Sequence, residues 1–320
     1  MAETSVSLTS VTKRYGAFTA VNDLSFSVQA GEIFGFLGPN GAGKTTSLRM
    51  MLDIVQPSAG AIEILGSPSA IPVRHRIGYL PEERGLYRKM KAADSIAYFA
   101  KLRGLDGRSA TAKAHDLLER FGLGAFARTK NEALSKGMAQ KVQLLATIAH
   151  DPELLILDEP FSGLDPINQE VLETLIHDLR MEGRTIIFST HVMQHAERLC
   201  DRMLILAKGE KRFEGTLAEA RAAFSGRIHV TTPAPREALE ALRSVDAVHP
   251  EAGGGGGQKR YGVDLSQQAG PQDFLREAVG AGMEISHFEE AGATLHDIFV
   301  ALAGDEDEAA APVARREAAE

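Results

Sequence analysis

The run Gly38-Pro39-Asn40-Gly41-Ala42-Gly43-Lys44-Thr45-Thr46, set directly behind the short apolar segment Ile33–Leu37, constrains this chain more than any other feature. It fits the pattern G-x-x-x-x-G-K-S/T, which average residue usage would produce by chance in on the order of one per cent of chains this long. Glycines let the backbone curl into a nest whose N–H groups converge on phosphate oxygens. The helical pattern that follows adds its N-terminal dipole to the same anion. Lys44 can reach the terminal phosphates, and the Thr45 hydroxyl can ligate Mg²⁺. The competing reading is a glycine-rich turn that happens to precede Lys-Thr. The order strand, glycine loop, helix weakens that reading and points to an α/β fold.

The rest of the chain is read around that unit. Apolar and polar residues alternate over residues 4–30, as in Val6, Leu8 and Val11, then Leu24, Phe26 and Val28, which predicts antiparallel strands. A strand is expected at 61–65. Residues 91–150 read mainly as helices, at 94–103, 111–121 and 139–150. Strands return at Leu154–Leu157, 185–189 and 203–206, separated by helical stretches, so a helical block is inserted into an α/β core. From residue 225 the pattern becomes that of a small α+β domain reaching to 304. Its expected elements are strands at 227–231 and 285–288 and helices at 236–243, 272–279 and Leu295–Ala303. The five-glycine run 253–257 is expected at the tip of a hairpin. Residues 305–320, rich in acid and alanine, read as a disordered tail.

Composition excludes several classes. The single cysteine, Cys200, allows no internal disulfide, which suits a reducing compartment. The N-terminus lacks a secretory pattern, and no apolar run reaches the ~20 residues needed to span a bilayer. A net charge of -8 and the absence of Trp argue against nucleic acid as a partner.

A second constellation lies at the end of the apolar strand Leu154–Leu157, which runs into Asp158-Glu159-Pro160. An Asp ending a buried parallel strand beside a phosphate loop can hold Mg²⁺, and the adjacent Glu159 can polarise an attacking water. Taken alone, two carboxylates there would mark only the exposed end of a strand. Four more motifs follow one order along the chain. Leu134-Ser135-Lys136-Gly137-Met138 resembles the signature sequence of ABC-type ATPases, usually Leu-Ser-Gly-Gly-Gln. Ser162-Gly163-Leu164-Asp165 resembles their D-loop. His191 resembles their switch histidine, and Tyr15 the aromatic that stacks on adenine. Together the six motifs cover residues 4 to about 220. The chain is identified on them as similar to the ATP-binding subunits of ABC transporters.

That resemblance implies a P-loop cassette: a RecA-like α/β core, an antiparallel β subdomain and an inserted helical subdomain, together spanning 1–224, followed by the accessory domain at 225–304. It implies ATP and Mg²⁺ as ligands. It further implies two nucleotide-binding domains facing head to tail, with Ser135 and Gly137 of one meeting the γ-phosphate held by the other. The partner domain is a second copy or a related subunit. Lys136 stands where the family usually has Gly, and Met138 where it usually has Gln. Ser135 also reads as a plain helix N-cap. Glu82 stands where the family usually has the Q-loop glutamine. Two readings remain open there: a carboxylate near Mg²⁺, or a side chain turned away that only shapes the loop. The run Pro81-Glu82-Glu83-Arg84-Gly85-Leu86-Tyr87 and the Lys-Gly-Met signature resemble a bacterial subgroup that includes sodium-export ATPases. This points to an ABC-2-type membrane permease as partner, with membrane contact only through it, on the cytoplasmic face. A soluble mechanochemical ABC ATPase is the alternative, although such chains usually carry two cassettes or a long coiled coil. The pair His191 and His195 has the i,i+4 spacing of a zinc site, but no third ligand is apparent.

Overall fold

The computed structural model describes residues 3–83, 85–223, 227–251, 258–266, 269–290 and 294–303. Arg84, the glycine run and the acidic tail lie outside the described residues. The chain divides into a unit running to Leu217 and a second from Ala218 to Ala301.

In the first unit, β1 (Thr4–Tyr15) and β2 (Phe18–Gln29) pair antiparallel, with Val6 opposite Val28 and Leu8 opposite Phe26. The alternation read from the sequence therefore becomes one buried face. Next come β3 (Ile33–Leu37), α1 (Lys44–Met51) and β4 (Ala59–Ile64). The last of these joins the far edge of β1, giving the sheet order β2-β1-β4. The sequence reading placed this strand at 61–65. Pairing of Thr12 with Ala59 starts it earlier, because β1 supplies ladder partners that no local pattern announces.

The second sheet carries the site. It contains β3, β5 (Ile77–Leu80), β6 (Leu154–Leu157), β7 (Thr185–Thr190), β8 (Arg202–Ala207) and β9 (Glu210–Gly215), in the order β5-β6-β7-β3-β8-β9. All neighbouring pairs are parallel except β8 with β9. Strands covered on both faces read as unbroken apolar runs, which is why Ile33–Leu37 and Leu154–Leu157 are wholly buried. Phe34 and Phe36 face the core shared with β1 and β2, while Ile33 faces the core shared with the helices.

Two strands of this sheet are new relative to the sequence reading. Four residues with a central glycine do not read as a strand, yet β5 is one. A Cβ on Gly78 would lie 2.7 Å from the Thr147 carbonyl, so the glycine is what lets the helix above come down onto the strand. Strand β9 is polar because it is the antiparallel edge. Its hairpin turns on Lys208 and Gly209, both at positive φ, as a two-residue loop of the primed type requires.

The inserted helices are α2 (Ala92–Leu102), α3 (Gly107–Arg120) and α4 (Lys136–Ile148). The last two start earlier than the expected 111 and 139. The Asp106 carboxylate accepts from Arg108 and Ser109 N–H, and the Ser135 hydroxyl from Met138 N–H, so the capping residue rather than the first apolar position sets each N-terminus. Helices α5 (Pro166–Met181) and α6 (Met193–Leu199) flank β7. No helix among the described residues is long and apolar enough to cross a membrane.

The second unit opens within α7 (Leu217–Ala223) and continues through β10 (Arg227–Thr232), α8 (Arg236–Glu240), β11 (Val245–Glu251), β12 (Lys259–Leu265), α9 (Pro271–Gly280) and β13 (His287–Glu290) into α10 (Leu295–Ala303). The antiparallel order β11-β12-β10-β13 makes it a split βαβ arrangement. Val230, Val263, Leu239 and Phe274 share its core. Helix α8 ends three residues short of the expected 243, where Arg243 and Ser244 N–H groups turn to the Glu277 carboxylate.

His150, just past the end of α4, is buried and engages the Ile77 carbonyl through Nε2 at 3.1 Å. Burial, with Arg103 adding to it, pulls its pKa down to about 4, so the folded protein holds it neutral where the unfolded chain would protonate it. The unfolded state then binds more protons between about pH 6.5 and 4, and stability must fall as pH falls through that window. Thermal unfolding measured across that range is expected to show the fall, and His150→Gln is expected to flatten it.

Candidate nucleotide site

The parallel strands bring their C-terminal ends to one edge of the sheet, where ligands of open α/β sheets sit. From β3 the chain passes into the glycine loop and then α1. Gly43 has φ of 102°, and a Cβ there would lie 2.6 Å from the Ala20 carbonyl, so the loop closes against β2 only with glycine at this position. Lys44 is buried and donates to the Gly38 carbonyl at 2.7 Å and the Pro39 carbonyl at 3.2 Å, folding back over the loop it follows.

Strand β6 delivers the two carboxylates. Asp158 Oδ1 accepts from Ser189 Oγ at 2.6 Å and lies 3.4 Å from Thr45 Oγ1. Glu159 departs from the strand at φ of 46°, an uncommon conformation for a non-glycine residue. Its N–H donates to Ser189 Oγ at 2.9 Å. One carboxylate oxygen, Oε2, meets His191 Nδ1 at 3.0 Å. The other, Oε1, is buried without a hydrogen-bond partner, 3.5 Å from Lys44 Nζ. Two strands therefore converge on one hydroxyl: Ser189 orients the Asp158 carboxylate and holds the Glu159 backbone, while His191 and Lys44 flank the Glu159 carboxylate. The sequence reading did not single out Ser189. The available signal was a hydroxyl at the end of a buried parallel strand, two residues before the histidine.

A cavity of about 600 Å³ opens here, lined by Pro39 through Thr46 of the loop, by Glu82, Glu159, Ser162 and His191, and by Phe18 and Ala20 of β2. Gly38 sits behind it, buried at the start of the loop. Tyr15 is half-exposed at the tip of the β1–β2 hairpin, where it pairs with Phe18, and its ring lies 4.9 Å from Lys13 Nζ. Phe18, the more exposed of the two, lines the cavity and was missed because it follows the turn in a strand that alternates weakly. The donor set suits a hard cation. Thr45, Asp158 and an orphaned carboxylate oxygen offer oxygen ligands only, as Mg²⁺ prefers. No group of three or more His, Cys, Asp and Glu with metal-binding geometry occurs among the described residues.

Ser135, Gly137 and Asp165 do not line this cavity. Ser135 caps α4 from an exposed position. A Cβ on Gly137 would lie 3.0 Å from Asn168 Nδ2, and Asp165 accepts from the N–H and side-chain amide of Asn168 at 2.9 and 2.6 Å. Those bonds, the backbone one foremost, hold the Asp165 carboxyl below its usual range. The Lys136 ammonium reaches over Gly163. The signature and the stretch from Gly163 to Asn168 thus touch each other within one chain, while Ser162 at the start of the D-loop lines the Lys44 cavity. The two histidines of the i,i+4 pair diverge as well: His191 faces Glu159, and His195 faces Glu173 of α5 at 2.9 Å.

A buried strand, a glycine nest closing on a lysine, and an Asp-Glu pair ending the strand β6, one strand removed from β3 across β7, define a P-loop nucleotide-binding protein. Sequence comparison narrows the class. The ABC transporter family profile matches residues 21–162, and the profile of the ATP-binding protein DrrA1-3-like C-terminal domain matches 215–303. An uncharacterized ABC transporter ATP-binding protein, YhaQ of Bacillus subtilis (strain 168), is 40% identical over 92% of this chain and 97% of its own length. The Nod factor export ATP-binding protein I of Burkholderia orbicola (strain AU 1054) is 40% identical over 64% of this chain and 68% of its own. A solved ATP-binding subunit of an ABC transporter superposes with a TM-score of 0.64 at 32% identity, covering 68% of this chain and 92% of that one. The chain belongs to the ABC transporter ATP-binding proteins, a family of ATPases.

Gly43→Ala is expected to weaken ATP binding by about 100-fold or more while leaving the fold intact, because the new methyl pries the loop off the Ala20 carbonyl rather than opening the core. Isothermal titration with ATP alongside circular dichroism measures both halves of that statement.

Proposed function

We propose that this subunit holds ATP and Mg²⁺ in the Lys44 cleft, completes the site with the signature of a second nucleotide-binding chain, and powers export through a separate ABC-2-type permease. The observation that carries the reading is the separation just described: Ser135 and Gly137 lie outside the cleft that Lys44 and Glu159 line. A hydroxyl and helix N-terminus suited to an anion, outside the cleft lined by the chain's own phosphate loop, call for a neighbour's phosphate.

In this reading the loop N–H groups and Lys44 bind the β- and γ-phosphates, while Tyr15, with Phe18 beside it, meets the base. Thr45 and Asp158 hold Mg²⁺, which would neutralise charge on the β- and γ-oxygens. Glu159 polarises the attacking water, and His191 fixes the Glu159 carboxylate through Oε2. Asp165 positions Asn168 against the signature helix. Glu82 couples the cleft to the permease, supported by its place on the cavity wall beside the exposed stretch that includes Tyr87. The accessory domain at 225–304 serves dimerisation or regulation. Its similarity to the DrrA1-3-like C-terminal domain and the export named for the Burkholderia relative favour an exporter partner. The subgroup resemblance favours sodium or another small solute as cargo. The subunit works on the cytoplasmic face, peripheral to the membrane.

Glu159→Gln keeps the shape of the site and removes the base. Steady-state hydrolysis is expected to fall by ~100-fold or more with ATP affinity retained, and near-normal turnover would sink the assignment.

Shared sites have a separate signature. Chains carrying Lys44→Ala and Ser135→Arg are each expected to be inactive, and mixing them should restore turnover through one intact composite site. Absence of recovery, with both chains folded, would point to a related subunit as the natural partner in place of a second copy.

A further inference from the structure

The second histidine of the i,i+4 pair has no part in the chemistry above, yet it is buried and doubly engaged. Its ring stacks on Phe161 with centroids 4.0 Å apart and planes 12° apart. Its Nδ1 meets Glu173 Oε1 of α5 at 2.9 Å. Phe161 in turn stands edge-on to Phe188, centroids 5.9 Å apart. Those two rings are close neighbours in sequence of the catalytic pair: Phe161 lies two residues after Glu159, and Phe188 directly precedes Ser189. His195 lies one helical turn beyond His191. The contacts therefore close a ring, from Glu159 to His191, along α6 to His195, across to Phe161 and back to Glu159.

Helix α6 needs such an anchor. It has seven residues and no side-chain cap, too short to hold itself in place. His191, at its entrance, is half-exposed and is fixed by its bond to Glu159. The direction of that bond thus depends on where α6 sits. Met193 and Ala196 bury apolar surface, which is compatible with small slides and rotations. His195 adds a directional hydrogen bond and a parallel stack, which are not. Its partner Glu173 extends the tie to α5, the helix that Asp165 caps.

We infer that His195 is a positioning residue for hydrolysis, setting His191 and Glu159 in register by clamping α6 to Phe161 and Glu173. The inference rests on the assignment of Glu159 and His191 to the hydrolytic step. It implies that loss of His195 acts through His191 and affects turnover rather than nucleotide binding.

The test compares His195→Ala, His191→Ala and the double variant in the full-length protein, reading kcat, ATP affinity and melting temperature for each. His195→Ala is expected to lower kcat by about 10- to 100-fold, the scale of a misplaced catalytic group, with ATP affinity within about threefold. In the His191→Ala background the same change is expected to cost almost nothing further. His195→Leu, which fills the space without a ring or a bond, carries the same expectation and serves if the alanine variant does not fold. Unchanged kcat in a folded His195 variant would overturn the inference, as would an equal fold-loss in the presence and absence of His191. If His191→Ala alone keeps normal turnover, it is the hydrolytic assignment of His191 that has failed, a result distinct from the other two.

Discussion

A single buried hydroxyl sits where two strands of the core sheet end. Ser189 donates to the Asp158 carboxylate and accepts from the backbone N–H of Glu159, so one atom orients the carboxylate suited to a metal and fixes the backbone from which the carboxylate suited to a water projects. That arrangement requires β6 and β7 to lie in register, with Leu157 beside Phe188. The register is held by side chains buried on both faces of the sheet. Slipping a parallel strand by one residue would turn every buried side chain to the wrong core. The packing of the sheet and the geometry of the acids are therefore one constraint.

The phosphate loop depends on the same sheet from the other side. Because β3 lies between β7 and β8, its end points the loop at the acids, and Lys44 comes within 3.5 Å of Glu159 Oε1. A buried carboxylate oxygen without a hydrogen bond is costly. The nearby ammonium offsets part of that cost, and the strained backbone at Glu159 adds to it. Such a site holds groups whose partners arrive with the ligand.

Much of this was legible along the chain. Residues 33–46 and 154–160 each contain a strand and the turn that follows it, so the phosphate loop and the acids are legible from spacing alone. The alternation in β1 and β2, and the continuous apolar runs of β3 and β6, follow from which faces are covered. What escaped was carried by partners distant in sequence. Strand β5 is four residues that become a strand only against β6, and β9 is polar because it is an edge. Ser189 reads as an ordinary strand residue until β6 lies beside it, and Phe18 reads as the residue after a turn.

By itself the sequence determined that the chain has a phosphate nest, an Asp-Glu strand end, a capped signature helix and a separate C-terminal α+β unit, because each of these is written in contiguous residues. Only the tertiary structure decided which of them meet. It brought Lys44, Glu159 and His191 to one cleft and left Ser135 and Gly137 outside it. It turned His195 away from its sequence neighbour His191 and onto Phe161. The reason is physical: local patterns fix backbone conformation within a turn or a strand, whereas the distance between two side chains far apart in sequence is set by the order and register of a sheet that forms as a whole.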